Sequence, residues 1–488
     1  MALRTYEQYL QSLRDMRPNI YKFDELIEDV VAHPATRNTV VGHGQSYKAL
    51  GDPAEREIMT TTSHLNGEPI SRYLSIIRSS DDMIANCRLK RHMFHLSGTC
   101  TGGRCAGWTA INAMFATTFE MDAKLDTDYH DRFLAWLADA QSSDITISGA
   151  LTDPKGDRTR PPSMQDDPDM NLRIVERRDD GIVVRGAKVM ICGIAAANEI
   201  FVLPGSSYKE TDRDYAVSFV IPRDIDNLTI VETRRPSDNR ETEEGFDIPV
   251  TEGGITQAYL FFEDVFVPRE RVFMAGQHEF TGTAVKYFIA PYRAAIGGCV
   301  AGQGDIKIGA AVLAARTNGL SSKVFSDKIT QMCINNETTF GLGIAASVMG
   351  SQHPSGAWIC DMLLSNVNKV HVATMPYETS RLAQEITGGI GETGCIPSYK
   401  DYTSEKYGHL VRKYLKARSS AESRTRAARL VEWTTIGPGV PGCMHGGGSP
   451  DGARMFVRAF SDLDKKVEMA RRLAGIDEEI SEPAGKKK

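Results

Sequence analysis

The chain has 488 residues, 41% of them hydrophobic and 25% charged, with a net charge of -6 at neutral pH. At roughly 100 to 200 residues per domain, that length predicts several domains with large apolar cores. The mild acidity argues against an electrostatic nucleic-acid binder, and no apolar run of roughly 18 residues offers a membrane span.

The opening "MALRTYEQYLQSLRDM" lacks an apolar h-region and reads as an amphipathic helix, not a signal peptide. Nine cysteines in a chain without a secretion signal predict a reducing, cytoplasmic setting, with thiols free or bound to metal. Residues 1–145 read mainly as helix. In "GWTAINAMFATTFEMD", Trp108, Ile111, Phe115 and Phe119 recur at spacings of three and four, which predicts one apolar face.

The pattern changes after "SSDITISGALTDPKGDRTRPP". In "NLRIVERRDDGIVVRGAKVMI" two β-type runs flank Asp179-Asp180-Gly181, a hairpin signal. "YAVSFVIP" (215–222) and "QAYLFFEDVFVP" (257–268) end in prolines, as strands often do. Residues 146–280 therefore read as a β domain, and residues 281–488 return to helix. This is an α+β chain of helical, β and helical segments, with a ligand site expected at their junction.

Two stretches carry candidate chemistry. "GTCTGGRCAGW" holds Cys100 and Cys105 around Gly102-Gly103. On one α-helix a five-residue step rotates by roughly 140°, so two such thiols diverge. The glycine pair predicts a loop that turns both inward, with Cys105 opening the next helix, where the dipole favours a thiolate. Cys299 follows another Gly-Gly in "YRAAIGGCVAGQGD". A buried structural thiol is the common role for any one cysteine. Zinc would need a compact second pair, which is absent; an iron–sulfur cluster on three cysteines and one unusual ligand is the other reading.

The second stretch, residues 150–162, crowds Thr152, Asp153, Lys155, Asp157 and Arg158 after Leu151. It is either a charged interdomain loop or a cofactor cradle offering cations to phosphate. "AQEITGGIGETG" lacks the Lys-Ser/Thr of a phosphate loop, and a helix C-cap explains Gly388 as well. His445 in "MHGGGSP" is a candidate base, although a lone histidine by a turn is commonly structural.

Taken together, "ALTDPKGDRTRPPSMQDDPDMNLRIVERRDDGIVVRGAKV", "PYRAAIGGCVAGQGD", "MPYETSRLAQEITGG" and "CMHGGGSPDGARMF" resemble one flavoprotein family. That family includes 4-hydroxyphenylacetate 3-monooxygenase and 4-hydroxybutyryl-CoA dehydratase, and the likeness is closer to the dehydratase branch. The resemblance implies an acyl-CoA dehydrogenase-like fold: a helical domain, a central β-barrel and a C-terminal helical bundle, assembled as a homotetramer. It also implies FAD, held by the 151–158 cradle, by Cys192-Gly193 and by Gly388-Gly389, with a neighbouring subunit as one source of the last pair.

In the dehydratase branch the likeness further implies a [4Fe-4S] cluster on three cysteines and a histidine. Cys105 and Cys299 match two of the cysteine positions, and Cys100 matches the third with one residue inserted. The histidine position holds Tyr292. Other departures follow: Gln257 stands where the branch has a glutamate, Ile296 and Val300 where it has tyrosine and lysine, and Gly442 where it has a second glutamate. Gly149 stands at the monooxygenase histidine. The implied activities are a dehydratase/isomerase acting on an altered acyl-CoA, or a two-component monooxygenase acting on a phenolic substrate with a partner flavin reductase. A silent FAD-binding paralogue is the third reading.

Overall fold

A computed structural model of the protein describes residues 3–234, 246, 254–436, 446–478 and 480. Helices come first. α1 (Tyr6–Arg14) starts on a capping box between Thr5 and Gln8. α2 (Arg37–Lys48), α3 (Pro53–Met59), α4 (Ser80–Ser97), α5 (Gly102–Leu125) and α6 (Tyr129–Ser142) follow. Strands β1 (Ile20–Lys22) and β2 (Glu25–Leu26) and the hairpin β3 (Thr60–Thr62) with β4 (Pro69–Ser71) interrupt them.

The α5 helix departs from the one-faced pattern. From Gly102 to Thr118 every residue except Ala106 is buried. The cause is packing on several sides, by α6, by strand β5 (Ile147–Ala150) and by the long helix α7 (Thr281–Asn318). A helix covered all round keeps no polar face.

After β5 the chain forms β6 (Arg173–Arg178), β7 (Gly181–Cys192), β8 (Glu199–Val202), β9 (Val217–Pro222), β10 (Leu228–Glu232), β11 (Gln257–Pro268) and β12 (Val272–Ala275). β6 and β7 make the hairpin that Asp-Asp-Gly predicts, with Arg178 opposite Gly181. Among the described residues, however, the closed central barrel is not formed. The strands build two open sheets, ordered β2-β1-β10-β11-β7-β6 and β12-β9-β8-β5. β1, from the N-terminal segment, pairs in parallel with β10 and takes the place a closing strand would need. Fully buried Phe219 and Phe262 meet edge to face, ring centroids 6.2 Å apart, and join the two sheets through one core.

Helices then resume. α7 is followed by α8 (Lys323–Val348), the short pair β13 (Ser351–Gln352) and β14 (Trp358–Ile359), α9 (Met362–Val372), α10 (Met375–Thr387), α11 (Gly389–Thr393), α12 (Tyr399–Thr403), α13 (Gly408–Leu415), α14 (Ala421–Thr435), α15 (Pro450–Phe460) and α16 (Leu463–Ala474). α7 packs against α4, α5, α8, α9, α10 and α14.

Where α7 crosses α4, the backbones nearly touch. A β-carbon on Gly298 would lie 2.2 Å from the Cys87 carbonyl oxygen, and one on Gly302 would lie 2.4 Å from that of Arg91. These glycines are four apart and share a helix face. Gly298→Ala should therefore destabilise the fold by about 1 to 3 kcal/mol through overpacking against backbone. Urea unfolding checks this; an unchanged midpoint would show that the crossing relaxes freely.

Candidate functional site

The crossing sets Cys299 of α7 beside the start of α5. Gly102 and Gly103 form the first turn of that helix, where the sequence predicts a loop. Cys105 is buried in the same turn, and its Sγ lies 3.9 Å from the Thr101 hydroxyl. The Tyr73 hydroxyl is 3.2 Å from Thr101 Oγ1. A hydrogen bond with Cys299, supported by Lys90, Thr101 and Tyr73, brings the Cys105 thiol down to about 6. The same bond, with burial, pushes Cys299 well above the ordinary thiol range. Cys100 is partly buried, and its Sγ lies 3.4 Å from where a Gly102 β-carbon would stand. Negative charge on Cys100 acts on both Cys299 and Tyr292. The three cysteines thus meet at one junction. Among the described residues no three His, Cys, Asp or Glu side chains close on a single metal ion.

Tyr292 lies about two turns before Cys299 on α7 and stacks on Phe288 at 5.5 Å. Burial, and then the charges of Cys100, Cys192, Cys105 and Cys299, push its phenol well above the usual value. It therefore stays protonated at neutral pH. Gln257 opens β11 opposite Cys192, and its amide donates to Cys192 Sγ at 3.4 Å. Gly193, at φ 64°, makes the turn after Cys192. A β-carbon on Gly102 would sit 3.3 Å from Cys192 Cβ, so this turn abuts the start of α5. Ile296 and Val300 form a small apolar cluster with Val372, and Tyr292 packs against it.

The 151–158 stretch continues β5. Ser148 Oγ donates to the Cys192 carbonyl at 2.8 Å, which ties this strand to the same turn. Leu151 and Thr152 are partly buried, and the Thr152 carbonyl accepts from the Val189 amide at 2.9 Å. Asp153 turns inward. Its carboxylate lies 2.6 Å from Lys188 Nζ and accepts from the Tyr208 hydroxyl at 2.8 Å, a buried structural pair. Lys155, Asp157 and Arg158 are exposed. Asp157 holds the amide and hydroxyl of Thr159 at 2.9 and 2.7 Å.

Gly388 and Gly389 are not at this junction. Gly388 caps α10 at φ 70°, and a β-carbon on either glycine would touch nothing within 4 Å. α10 packs Leu382, Ala383 and Ile386 on Ala310–Ala315, toward the C-terminal end of α7. Gly442 and His445 lie outside the described residues.

Two residues escape a reading by spacing. His43 of α2 is fully buried; its Nδ1 donates to the Thr39 carbonyl at 2.8 Å, and its Nε2 has no partner among the described residues. β-Carbons on Gly193 and Gly103 would lie 2.7 and 3.2 Å from that nitrogen. Lys90 of α4 is buried beneath the Trp108 and Tyr292 rings. Each is a single polar residue inside a helix, so no motif announces it.

Burial lowers His43 from 6.5 to about 4. Between those values the unfolded chain binds a proton that the folded chain refuses. The contribution is complete above pH 6.5 and is lost as pH falls through 4, amounting to about 3 kcal/mol. His43→Gln should flatten the stability profile over that window. Equal acid sensitivity of both proteins in urea titrations would contradict the assignment.

Comparison with known proteins follows the same lines. The family model for the 4-hydroxyphenylacetate 3-hydroxylase N terminal matches residues 5–274, and the model for its C terminal matches residues 281–475. The chain is 38% identical to a 4-hydroxybutyryl-CoA dehydratase/vinylacetyl-CoA-Delta-isomerase of Clostridium aminobutyricum, over 97% of this chain and 100% of that one. A solved oxygen-tolerant archaeal 4-hydroxybutyryl-CoA dehydratase from N. maritimus superposes with a TM-score of 0.94 at 36% identity, covering 99% of this chain and 97% of that one. An oxygenase component of 4-hydroxyphenylacetate 3-monooxygenase, solved with FAD and 4-hydroxyphenylacetate, shares the fold at a TM-score of 0.86 and 21% identity, over 97% of this chain and 98% of that one. With both family models matched in order and a relative aligned end to end, the chain is an enzyme and belongs to the 4-hydroxyphenylacetate 3-hydroxylase family.

Proposed function

We propose that the protein is an FAD enzyme of the dehydratase/isomerase type, with a [4Fe-4S] cluster on Cys100, Cys105 and Cys299, acting on an acyl thioester other than 4-hydroxybutyryl-CoA. The observation that carries this reading is the meeting of those three cysteines with Tyr292 and Gln257 at the Cys192-Gly193 turn. Three thiols, two of them buried, suit the cluster's chemistry. Tyr292, a protonated phenol, is not a ready fourth ligand. For FAD, the Gly193 turn and the partly buried Leu151–Thr152 backbone offer close approach, and Lys155 and Arg158 offer cations to its phosphates. Bound, these groups would supply electron transfer and a Lewis-acidic iron.

The chain's own residues argue for an altered substrate. The Gln257 amide orients a ligand by hydrogen bonds but takes no proton. The phenol of Tyr292, which keeps its proton, donates a hydrogen bond. Ile296, Val300 and Val372 present an apolar wall and select an uncharged portion of the substrate. We further propose a homotetramer, because Gly388 and Gly389 stand open for a neighbour's flavin. A second reading, a two-component aromatic monooxygenase fed reduced FAD by a reductase, is favoured by the amide at Gln257, which leaves that position without a base.

Iron and sulfide analysis of anaerobically purified protein decides between the two. Four irons per chain are expected; flavin without iron would favour the monooxygenase. Tyr292→His should raise oxygen tolerance by supplying an imidazole ligand. Arg158→Ala should weaken FAD binding by about tenfold or more, and unchanged retention of the flavin would misplace the cradle.

A further inference from the structure

The loop 353–357 joins β13 to β14, and backbone bonds close it. The His353 amide donates to the Ala357 carbonyl at 2.8 Å, and the Gly356 amide donates to the His353 carbonyl at 2.8 Å. A line of side chains is added to this turn. His353 Nε2 lies 2.9 Å from Glu120 Oε1 on α5, and His353 Nδ1 lies 2.8 Å from Ser355 Oγ. Glu120 stands about 22 Å along α5 from Cys105, at 1.5 Å per residue, so this is a separate place on the molecule.

The bonds fix where the protons sit. The Ser355 amide donates to His353 Nδ1 at 3.2 Å, so Nδ1 carries a lone pair. The ring proton is then on Nε2 and is donated to the Glu120 carboxylate. The Ser355 hydroxyl donates to the Nδ1 lone pair, and its oxygen accepts from the Ala357 amide at 3.3 Å. The Tyr287 hydroxyl donates to the same Glu120 oxygen and holds the carboxylate in place. Hydroxyl, imidazole and carboxylate in that order activate a serine. Here the two ring nitrogens exchange the places they have in the serine-protease triad.

The surroundings suit an ester. Ser355 and Gly356 are partly exposed. Gly356, at φ 87°, has no side chain, and a β-carbon there would lie 3.7 Å from Arg78 Nη2. Among the described residues no carboxylate pairs with that guanidinium. It brings positive charge to the turn, where a carbonyl under attack becomes negative. Tyr287 and Phe119 meet the imidazole edge to face, at 5.4 and 6.1 Å between centroids, and present apolar surface to an acyl or aryl group.

We propose that Ser355 is a nucleophile, with His353 as its general base and Glu120 as the positioning residue, and that this turn takes the acyl group of small activated esters. The Ser355 oxygen bonds to the carbonyl carbon while its proton passes to His353 Nδ1. The bond from that carbon to the leaving oxygen breaks, and the leaving oxygen takes the proton. Water repeats the exchange: its oxygen bonds to the acyl carbon, its proton passes through His353 to Ser355, and a carboxylic acid departs. Nothing is oxidised or reduced, and the step stands apart from the flavin and metal reading above.

The test treats the intact protein with a fluorophosphonate probe, whose phosphorus exchanges fluoride for a serine oxygen, and maps the label by peptide mass spectrometry. Hydrolysis of p-nitrophenyl acetate is followed in parallel. Ser355 is expected to carry the label in wild type. His353→Gln should label about a hundredfold more slowly, and ester hydrolysis should fall in both His353→Gln and Ser355→Ala. In Glu120→Gln the pH of half-maximal labelling should move down, because an imidazole without its carboxylate is less basic. Tyr287 and Arg78, the other ionisable groups around the ring and its turn, are unchanged in that variant, and a merely structural Glu120 would leave this pH where it is. Wild type without label at Ser355 would overturn the proposal whether or not the variants fold. So would labelling as fast in His353→Gln, or ester hydrolysis that survives Ser355→Ala.

Discussion

The site depends on a backbone contact. Gly298 and Gly302 let α7 lie against the carbonyls of Cys87 and Arg91 on α4. With any side chain at those positions the helices would separate by the width of a methyl group, and Cys299 would draw away from Cys105. The hydrogen bond between those two thiols follows from the same approach. So does the burial of Lys90, which the α4–α7 contact carries beneath Tyr292.

A second set of contacts brings the sheet to the same point. The absent β-carbon of Gly107 leaves room for the Ile147 carbonyl, so α5 rests directly on β5. β5 runs into residues 151–158, and Ser148 fastens it to the Cys192 carbonyl. Three separate segments of chain therefore end within one small region: the start of α5, the turn after β7 and the middle of α7. Polar residues are held there by burial against apolar walls. Two of them, His43 and Lys90, bring ionisable groups into a space with few opposite charges.

Some of this was legible beforehand because its causes are local. The Asp179-Asp180-Gly181 turn specifies a hairpin wherever it is placed, and the two runs beside it pair as expected. "QAYLFFEDVFVP" becomes β11 from Gln257 to Pro268, ended by a residue that cannot continue a ladder. Cys105 opens a helix as its glycine context predicts, although Gly102 and Gly103 join that helix instead of forming a loop. Gly388 serves as the helix cap that its neighbours suggest.

What sequence alone determined was the order of elements, the short turns and the residue types available for chemistry, since each follows from propensity and spacing over a few neighbours. The tertiary structure decided the rest. Whether the central strands close into a barrel depends on which edges meet, and β1, some 200 residues from β10 in the chain, takes the place beside it. Whether Asp153 faces a ligand depends on Lys188, which draws it into the core. Whether Lys90 is a surface lysine or a buried cation depends on α7 lying over it. Pairing, burial and charge are set by distant parts of the chain, and no local pattern encodes them.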